Sequence, residues 1–325
     1  MMQGLVLDAD SPLYGRVDEK IKLEPIGIGY VREALGLGSA QDAVKAYAIW
    51  GGVPRYWVAA ERFGNDLDAA LDELVFNPLG VFHEEPTSLL QSEIPSAISL
   101  RPYLDIIGIG ANRVSEIAAR LGVAATSMSR PLARLIEIGL VKREVPFGES
   151  EMNSKKSLYK VSDPFCLFWF SVMAKRRSVF DMVPAKVRMG IWRSCREHVF
   201  ATAWEEIARS GVMGCSKLSD LAGNDGYWLP AGRWWQGEAP EWDVVSVNGN
   251  GDRILLGEVK WSEKPFSVKV IRELVRSMKA RRIPSGLHGS VQYALFLPTV
   301  ESAVTHMDGV GGVRILTAED LVVGG

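Results

Sequence analysis

From Pro240 to Lys264 the chain reads PEWDVVSVNGNGDRILLGEVKWSEK. Two apolar runs flank the turn-rich NGNGD, and this order of run, turn and run constrains the fold more tightly than any other stretch. Asn-Gly and Gly-Asp steps accept the positive φ of tight turns, so the runs are expected as two strands of a hairpin. Charges are costly inside a buried strand. Yet Asp243 opens the first run, and Glu258 and Lys260 sit in the second. Residues two apart on a strand share a face, which puts Glu258 and Lys260 on one side with Leu256. If NGNGD closes the hairpin, Asp243 lies near Glu258.

Two carboxylates in a half-buried site repel, and they stay ionised most easily around a divalent cation. Oxygen donors of this kind suit Mg²⁺ or Mn²⁺. Lys260 beside them can orient an attacking water or stabilise charge on a phosphate. The set suits metal-assisted phosphodiester hydrolysis. A plain alternative stands beside this reading: a Glu-x-Lys on a strand also arises as an ordinary ion pair on an exposed face. An upstream helix carries Glu205 and Glu206, and Glu205 is the candidate supporting acid.

The chain has 325 residues, enough for two or three domains. Its hydrophobic content of 47% and charged content of 23% are ordinary for a soluble globular protein. A formal net charge of -2 gives no global attraction to nucleic acid, so any such binding must come from local patches. Cys166, Cys195 and Cys215 form no CxxC pair, which argues against a disulfide framework or a zinc site and for a reducing cytoplasm. No apolar run approaches the ~20 residues of a membrane span, and no signal pattern opens the chain. His83, His198, His288 and His306 are scattered, so no histidine chemistry is assigned.

Residues 1–26 read as a tail, with an edge strand or arm at Ile21-Lys22-Leu23 ended by Pro25. Helices follow from Gly29 to Val75, interrupted at Gly51, Gly52 and Pro54. DLDAALDELVFNP is a helix with an acidic first turn, stopped by Pro78, and 78–95 reads as a linker with one short helix. Residues 96–163 give three helices and a hairpin, the order of a winged helix-turn-helix. Asn112 is the expected N-cap of the second helix and Gly122 its closing glycine. In the third helix Leu132, Leu135, Ile136 and Ile138 are expected to face the core. From 164 onward helices mix with strands expected at Trp242–Val247, Ile254–Lys260, Gln292–Leu297 and Val313–Leu316. The fold class is therefore mixed α+β, with a helical region at 1–95, a winged helix at 96–163 and an α/β domain at 164–325.

In a winged helix the third helix enters the major groove and the wing touches the backbone. Ser127, Ser129, Arg130 and Arg134 are the candidate groove contacts, and Lys155 and Lys156 the wing contacts. Nine Lys/Arg against five Asp/Glu between residues 111 and 160 leave a local charge of +4, which suits DNA phosphates. Such modules also serve as protein–protein spacers, so a protein partner stays open. A second basic stretch follows the hairpin: Lys269, Arg272, Arg276 and Lys279 recur on one helical face. That face either tracks a phosphate backbone or is simply solvated.

At Asp243 and Glu258-Val259-Lys260 the sequence resembles the PD-(D/E)xK nuclease superfamily, except that EWD stands where the name has Pro-Asp. A narrower resemblance rests on SPLYGR (11–16), WGGVPRYW (50–57), VSEIAARLG (114–122), YKVSDPFCLFWF (159–170), GRWW (232–235) and LGEVKWS (256–262), in this order. Together these are similar to the C-terminal part of the archaeal-type P-loop ATPases, relatives of AAA/STAND proteins. That resemblance implies an ATPase-lid-like region, a winged helix and a nuclease-like C-terminal domain. It also implies Asp243 and Glu258 as metal ligands, with Glu205, Asp243, Glu258 and Lys260 as catalytic residues. Such ATPases carry a Gly-rich GxxxxGK loop followed by Ser or Thr, and this chain has none, so ATP binding by this chain is not expected. Arg16 is then expected in a structural ion pair. The functional expectation is a cytoplasmic DNA-binding protein with a Mg²⁺- or Mn²⁺-dependent nuclease-like domain. The alternatives are a non-catalytic DNA- or protein-binding module, a homo-oligomer included, or a truncated ATPase.

Overall fold

The computed structural model describes residues 23–93, 95–150, 152, 156–223, 226–237, 240–305, 307 and 309–323. SPLYGR with Arg16, residues 21 and 22 of the expected arm, His306, and Lys155 at the hairpin tip lie outside the described residues.

After a short helical stretch at residues 28–34, the helical region continues with α1 (Ala40–Trp50), capped by Ser39, whose hydroxyl oxygen accepts the Asp42 N–H at 3.1 Å. It ends at Gly51, where φ is +56°, a conformation that side-chain-bearing residues rarely adopt. α2 (Pro54–Glu61) starts on a first-turn proline, whose missing N–H costs nothing there. The DLDAALDELVF stretch is helical over Leu67–Leu71 and widens into a π turn at Asp72–Phe76. The 78–95 segment carries its one short helix, at Glu85–Glu93, and packs onto the rest, with Phe82, His83, Glu85 and Leu90 buried. His83 bridges the Val75 carbonyl (2.8 Å) and the Asp181 carboxylate (2.9 Å), which satisfies both ring nitrogens in the interior.

Next come α3 (Arg101–Gly108), α4 (Val114–Leu121), a 3-10 turn at Ala125–Met128 and α5 (Ser129–Glu137). An antiparallel pair follows, β1 (Val141–Glu144) and β2 (Leu158–Val161), with Val141 opposite Val161. Asn112 is not the cap of α4. Arg113 occupies that position, and Glu116 reaches back to accept the N–H groups of Asn112 (3.1 Å) and Arg113 (3.2 Å). Gly122 closes α4 with φ +69°. On α5, Leu132 and Leu135 are buried but Ile136 is 38% exposed, so the inward stripe is narrower than expected.

The aromatic run becomes α6 (Pro164–Val172), capped by Asp163, whose carboxylate accepts the Cys166 N–H at 2.8 Å. A helix apolar on every side must be surrounded. Phe165 stacks on Tyr56 with ring centroids 4.3 Å apart, and Phe168 meets Trp192 edge-on at 5.6 Å. α3 crosses α6 at Gly108, where a Cβ would fall 2.2 Å from the Phe170 Cβ. α7 (Ala185–Gly211) is the spine of the molecule. Its early residues Trp192 and Phe200 join the aromatic core, and Trp204 further along donates its indole N–H to the Phe296 carbonyl in the sheet (3.3 Å).

The sheet has six strands: β3 (Gly232–Trp234), β4 (Trp242–Val247), β5 (Arg253–Val259), β6 (Ser290–Phe296), β7 (Gly309–Val310) and β8 (Val313–Leu316). Their order is β3-β4-β5-β6-β8-β7. β4 and β5 form the expected antiparallel hairpin, with Val244 opposite Gly257. β5, β6 and β8 run parallel. A parallel neighbour requires a crossover, and the basic helix α8 (Val268–Lys279) supplies it between β5 and β6. Val244, Leu255 and Phe296 pack into the core shared with α7. Val245, Ile254, Leu256 and Leu295 pack with Ile271, Val275 and Met278 of α8. The architecture is mixed α+β, and among the described residues no helix is long and apolar enough to cross a membrane.

Candidate acidic site at the sheet end

A break in register creates the site. Gly232 faces Val245, but Trp234 faces Trp242, so β4 holds one extra residue against β3. Bulges of this kind bend a strand and re-aim its side chains. Trp242 packs with the α8 side, Val244 with the α7 side, and Val245 again with the α8 side. Regular alternation would put Trp242 and Val244 on the same side. Asp243 sits in this irregular step, and its carboxylate accepts the Val259 N–H of β5 at 2.9 Å.

Glu258 follows Gly257, whose added Cβ would lie 2.8 Å from both Phe296 and Val244. Only glycine lets the sheet close that tightly at this point. Glu258 is 2% exposed. Arg281 donates to both of its oxygens, through Nη1 to Oε2 and through Nη2 to Oε1 at 2.8 Å. Lys260 places Nζ 2.5 Å from Oε1. Burial alone would raise the Glu258 carboxyl; Arg281 and Lys260 outweigh it and hold the group below its ordinary value. Arg281 is itself anchored, donating to the Glu241 carbonyl at 2.9 Å and lying 5.5 Å over the Trp242 ring.

Asp243 has the opposite environment. Among the described residues no Lys, Arg or His nitrogen lies within ion-pair distance of it. Burial first, then the charges of Glu258 and Glu205, push its carboxyl up to about 6, against smaller lowering by the Val259 N–H and Lys260. Glu205, on α7, is therefore close enough to be felt; its own carboxylate lies 3.9 Å from Arg209. Asp243, Glu258, Lys260 and Glu205 thus share one neighbourhood, although among the described residues no group of three or more acids, histidines or cysteines is arranged to hold a metal ion.

Beside this site lies a second charge cluster centred on Glu206. Arg209 (2.7 Å), Lys142 of β1 (2.6 Å) and Lys160 of β2 (3.5 Å) converge on it. Lys160 also pairs with Glu144 at 2.9 Å. Burial opposes ionisation, but these three cations hold the Glu206 carboxyl well below the usual range. Arg209 ties the clusters together, since its other nitrogen donates to the Asp243 carbonyl at 2.9 Å. A cleft of about 370 Å³ opens here, lined by Lys142, Arg143, Glu144, Glu206, Arg209 and Arg233 among others. A separate cleft of about 260 Å³ lies among Asp42, Lys45, Asp68, Arg196 and Glu263 and includes none of the acidic-site residues.

Of the expected groove residues Ser127 lies in the 3-10 turn before α5, Ser129 and Arg130 at the start of α5, and Arg134 in its last turn. The Ser127 hydroxyl donates to the Ala124 carbonyl (2.6 Å), Ser129 and Arg130 are exposed, and Arg134 pairs with Glu137 at 2.8 Å. At the hairpin, Lys156 pairs with Glu149. Of the +4 surplus in this region one charge is offset from outside it, by Glu206 of α7, which Lys142 and Lys160 share. On α8, Lys269, Arg272 and Arg276 are exposed on one face, while Lys279 donates to the Gly311 carbonyl at 2.5 Å.

Sequence reasoning missed Arg281, which lies just past the basic face of Lys269, Arg272, Arg276 and Lys279. It also missed Arg209 and the Lys–Glu206 pairs, whose partners are 64 and 46 residues apart in the chain. The only available signal was indirect: a buried acid in a strand needs a partner from somewhere.

Comparison with known proteins gives two similarities. Residues 169–282 match a family described as archaea bacterial proteins of unknown function. That segment contains Glu205, Glu206, Arg209, Asp243, Glu258, Lys260 and Arg281. An uncharacterized protein of Methanocaldococcus jannaschii is 28% identical over 286 residues, which is 86% of this chain and 62% of that relative. The chain therefore spans less than two thirds of the relative it resembles, and both similarities are to archaeal or bacterial proteins.

Proposed function

We propose that the chain is a nucleic-acid-binding protein whose sheet-end acids form a PD-(D/E)xK-like site for phosphodiester hydrolysis with Mg²⁺ or Mn²⁺. The observation that carries this reading is Asp243. The fold half-buries a carboxylate, brings no paired cation to it among the described residues, and leaves it pushed up to about 6. A carboxylate placed where it costs stability is the signature of a functional group rather than a structural one.

The donor set agrees in kind with a hard divalent ion, since Asp243 and Glu258 offer carboxylate oxygens. Such an ion, when bound, supplies Lewis-acid activation of a phosphate and of water. The chain's own residues do the rest. Lys260, with its side chain 45% exposed, presents an ammonium at the mouth of the site where it can hold a phosphate oxygen or a water. The exposed face of α8, Lys269, Arg272 and Arg276, offers phosphate contacts, and the α8 chain continues directly to Arg281 at the site. The helices α3 to α5 with the β1/β2 hairpin are read as a winged helix that presents Ser127, Ser129 and Arg130 to duplex.

A second reading has its own support. Both Glu258 oxygens are already taken by Arg281 and Lys260, which suits a charge-neutral site kept for binding without turnover. Cleavage of plasmid and short duplex DNA with Mg²⁺ or Mn²⁺ separates the two. The first reading expects cleavage that falls by about a hundredfold or more in Glu258→Ala and in Lys260→Ala. Salt-sensitive duplex binding without cleavage by the folded, metal-supplied chain would favour the second.

A further inference from the structure

The fork of Arg281 on Glu258 occupies the oxygens that a divalent ion would need. We propose that Arg281 is a resident counter-cation: in the free protein it competes with the divalent ion for Glu258, and a nucleic-acid phosphate draws it away. This rests on the metal reading of the acidic site given above.

Three features separate this arrangement from a passive ion pair. First, the guanidinium engages both carboxylate oxygens, so an ion binding Glu258 meets a positive charge already seated on each of them and competes with it. Second, Arg281 keeps other anchors, the Glu241 carbonyl and the face of Trp242, and so stays beside the site when it leaves Glu258. Third, it follows the exposed basic face of α8, along which Lys269, Arg272 and Arg276 would lead a phosphate backbone. A planar guanidinium binds phosphate in the same bidentate manner as carboxylate, so a phosphate offers Arg281 an equivalent acceptor. Exchange of partners frees Glu258 while Asp243, which no cation holds, is already waiting for one. Metal and nucleic acid then bind with positive coupling, and by linkage each strengthens the other equally.

The test measures Mn²⁺ binding to the full chain by calorimetry, or by the electron-spin-resonance signal of free Mn²⁺, without nucleic acid. Native chain, Arg281→Gln and Asp243→Asn are compared, with circular dichroism confirming that each is folded. Arg281→Gln is expected to bind Mn²⁺ about tenfold more tightly or better, because the competitor has gone. Damage to a merely structural contact would lower the affinity, so a rise in affinity is specific to the counter-cation role. A short duplex is expected to raise the Mn²⁺ affinity of the native chain and to leave that of Arg281→Gln nearly unchanged. Equal or weaker binding by folded Arg281→Gln, with binding still lost in Asp243→Asn, would overturn the counter-cation role and leave the metal site standing. Mn²⁺ binding that survives Asp243→Asn unchanged, or no binding by any of the chains, would remove the metal site and this proposal with it.

Discussion

Two half-buried acids lie on either side of Arg209, and they live in opposite worlds. Glu206 is ringed by Arg209, Lys142 and Lys160 and is held ionised. Asp243 has one backbone N–H and, among the described residues, no paired cation, and its carboxyl is pushed up to about 6. The side chains differ by one methylene, so the difference lies wholly in what surrounds them. Glu206 fastens the β1/β2 hairpin to α7 and is explained by the fold. Asp243 burdens the fold, and that cost is the ground for the proposed site.

The largest effect that can break this comparison is Glu206→Gln. Three cations would lose their shared anion, and the chain should lose about 3 kcal/mol at pH 7, a value at the low end for buried pairs because the side chain is a third exposed. Denaturant unfolding checks it. Glu206 is held below its ordinary 4.5, so its stabilisation is present above that value and fades as pH falls; the deficit of the variant should shrink in acid.

Asp243→Asn should act in the opposite direction. A carboxyl raised from 3.8 to about 6 favours the folded state below pH 4 and loses that contribution as pH rises through 6. Removing the charge should therefore stabilise the chain by about 2 kcal/mol at pH 7 and by almost nothing at pH 4. Thermal unfolding at both pH values checks it, and a destabilised variant at pH 7 would erase the contrast.

Arg209→Lys sharpens the link between the clusters. Lysine can keep the Glu206 pair or reach the Asp243 carbonyl but not hold both with a fork, so about 1 kcal/mol should be lost. The smallest effect on stability is expected from Arg272→Ala with Arg276→Ala, within about 0.5 kcal/mol. Those changes should instead reduce the salt dependence of duplex binding, by about two in the slope of log affinity against log salt if each side chain meets one phosphate.

Much of this was legible in the sequence. Alternation and the NGNGD turn gave β4 at Trp242–Val247 with its observed bounds, and placed β5 within one residue. Gly122 closes its helix as expected, whereas Asn112 yields to Arg113 and Glu116. β3 escaped because three residues between Pro230 and Gly237 carry too little alternation to read. The bulge at Asp243 escaped because it exists only in the register between strands. Arg281 and the cations of Glu206 escaped for a related reason. Sequence counts charges, but only tertiary structure says which are paired: Lys142 and Lys160 share Glu206 from α7, while Arg134 and Lys156 hold Glu137 and Glu149.

The most direct measurement is a carbon-13 carboxyl titration of Asp243, assigned by comparison with Asp243→Asn, with and without Mg²⁺. The account predicts a midpoint near 6 in the free chain that falls when Mg²⁺ is added. A midpoint at the ordinary 3.8, unmoved by Mg²⁺, would contradict it.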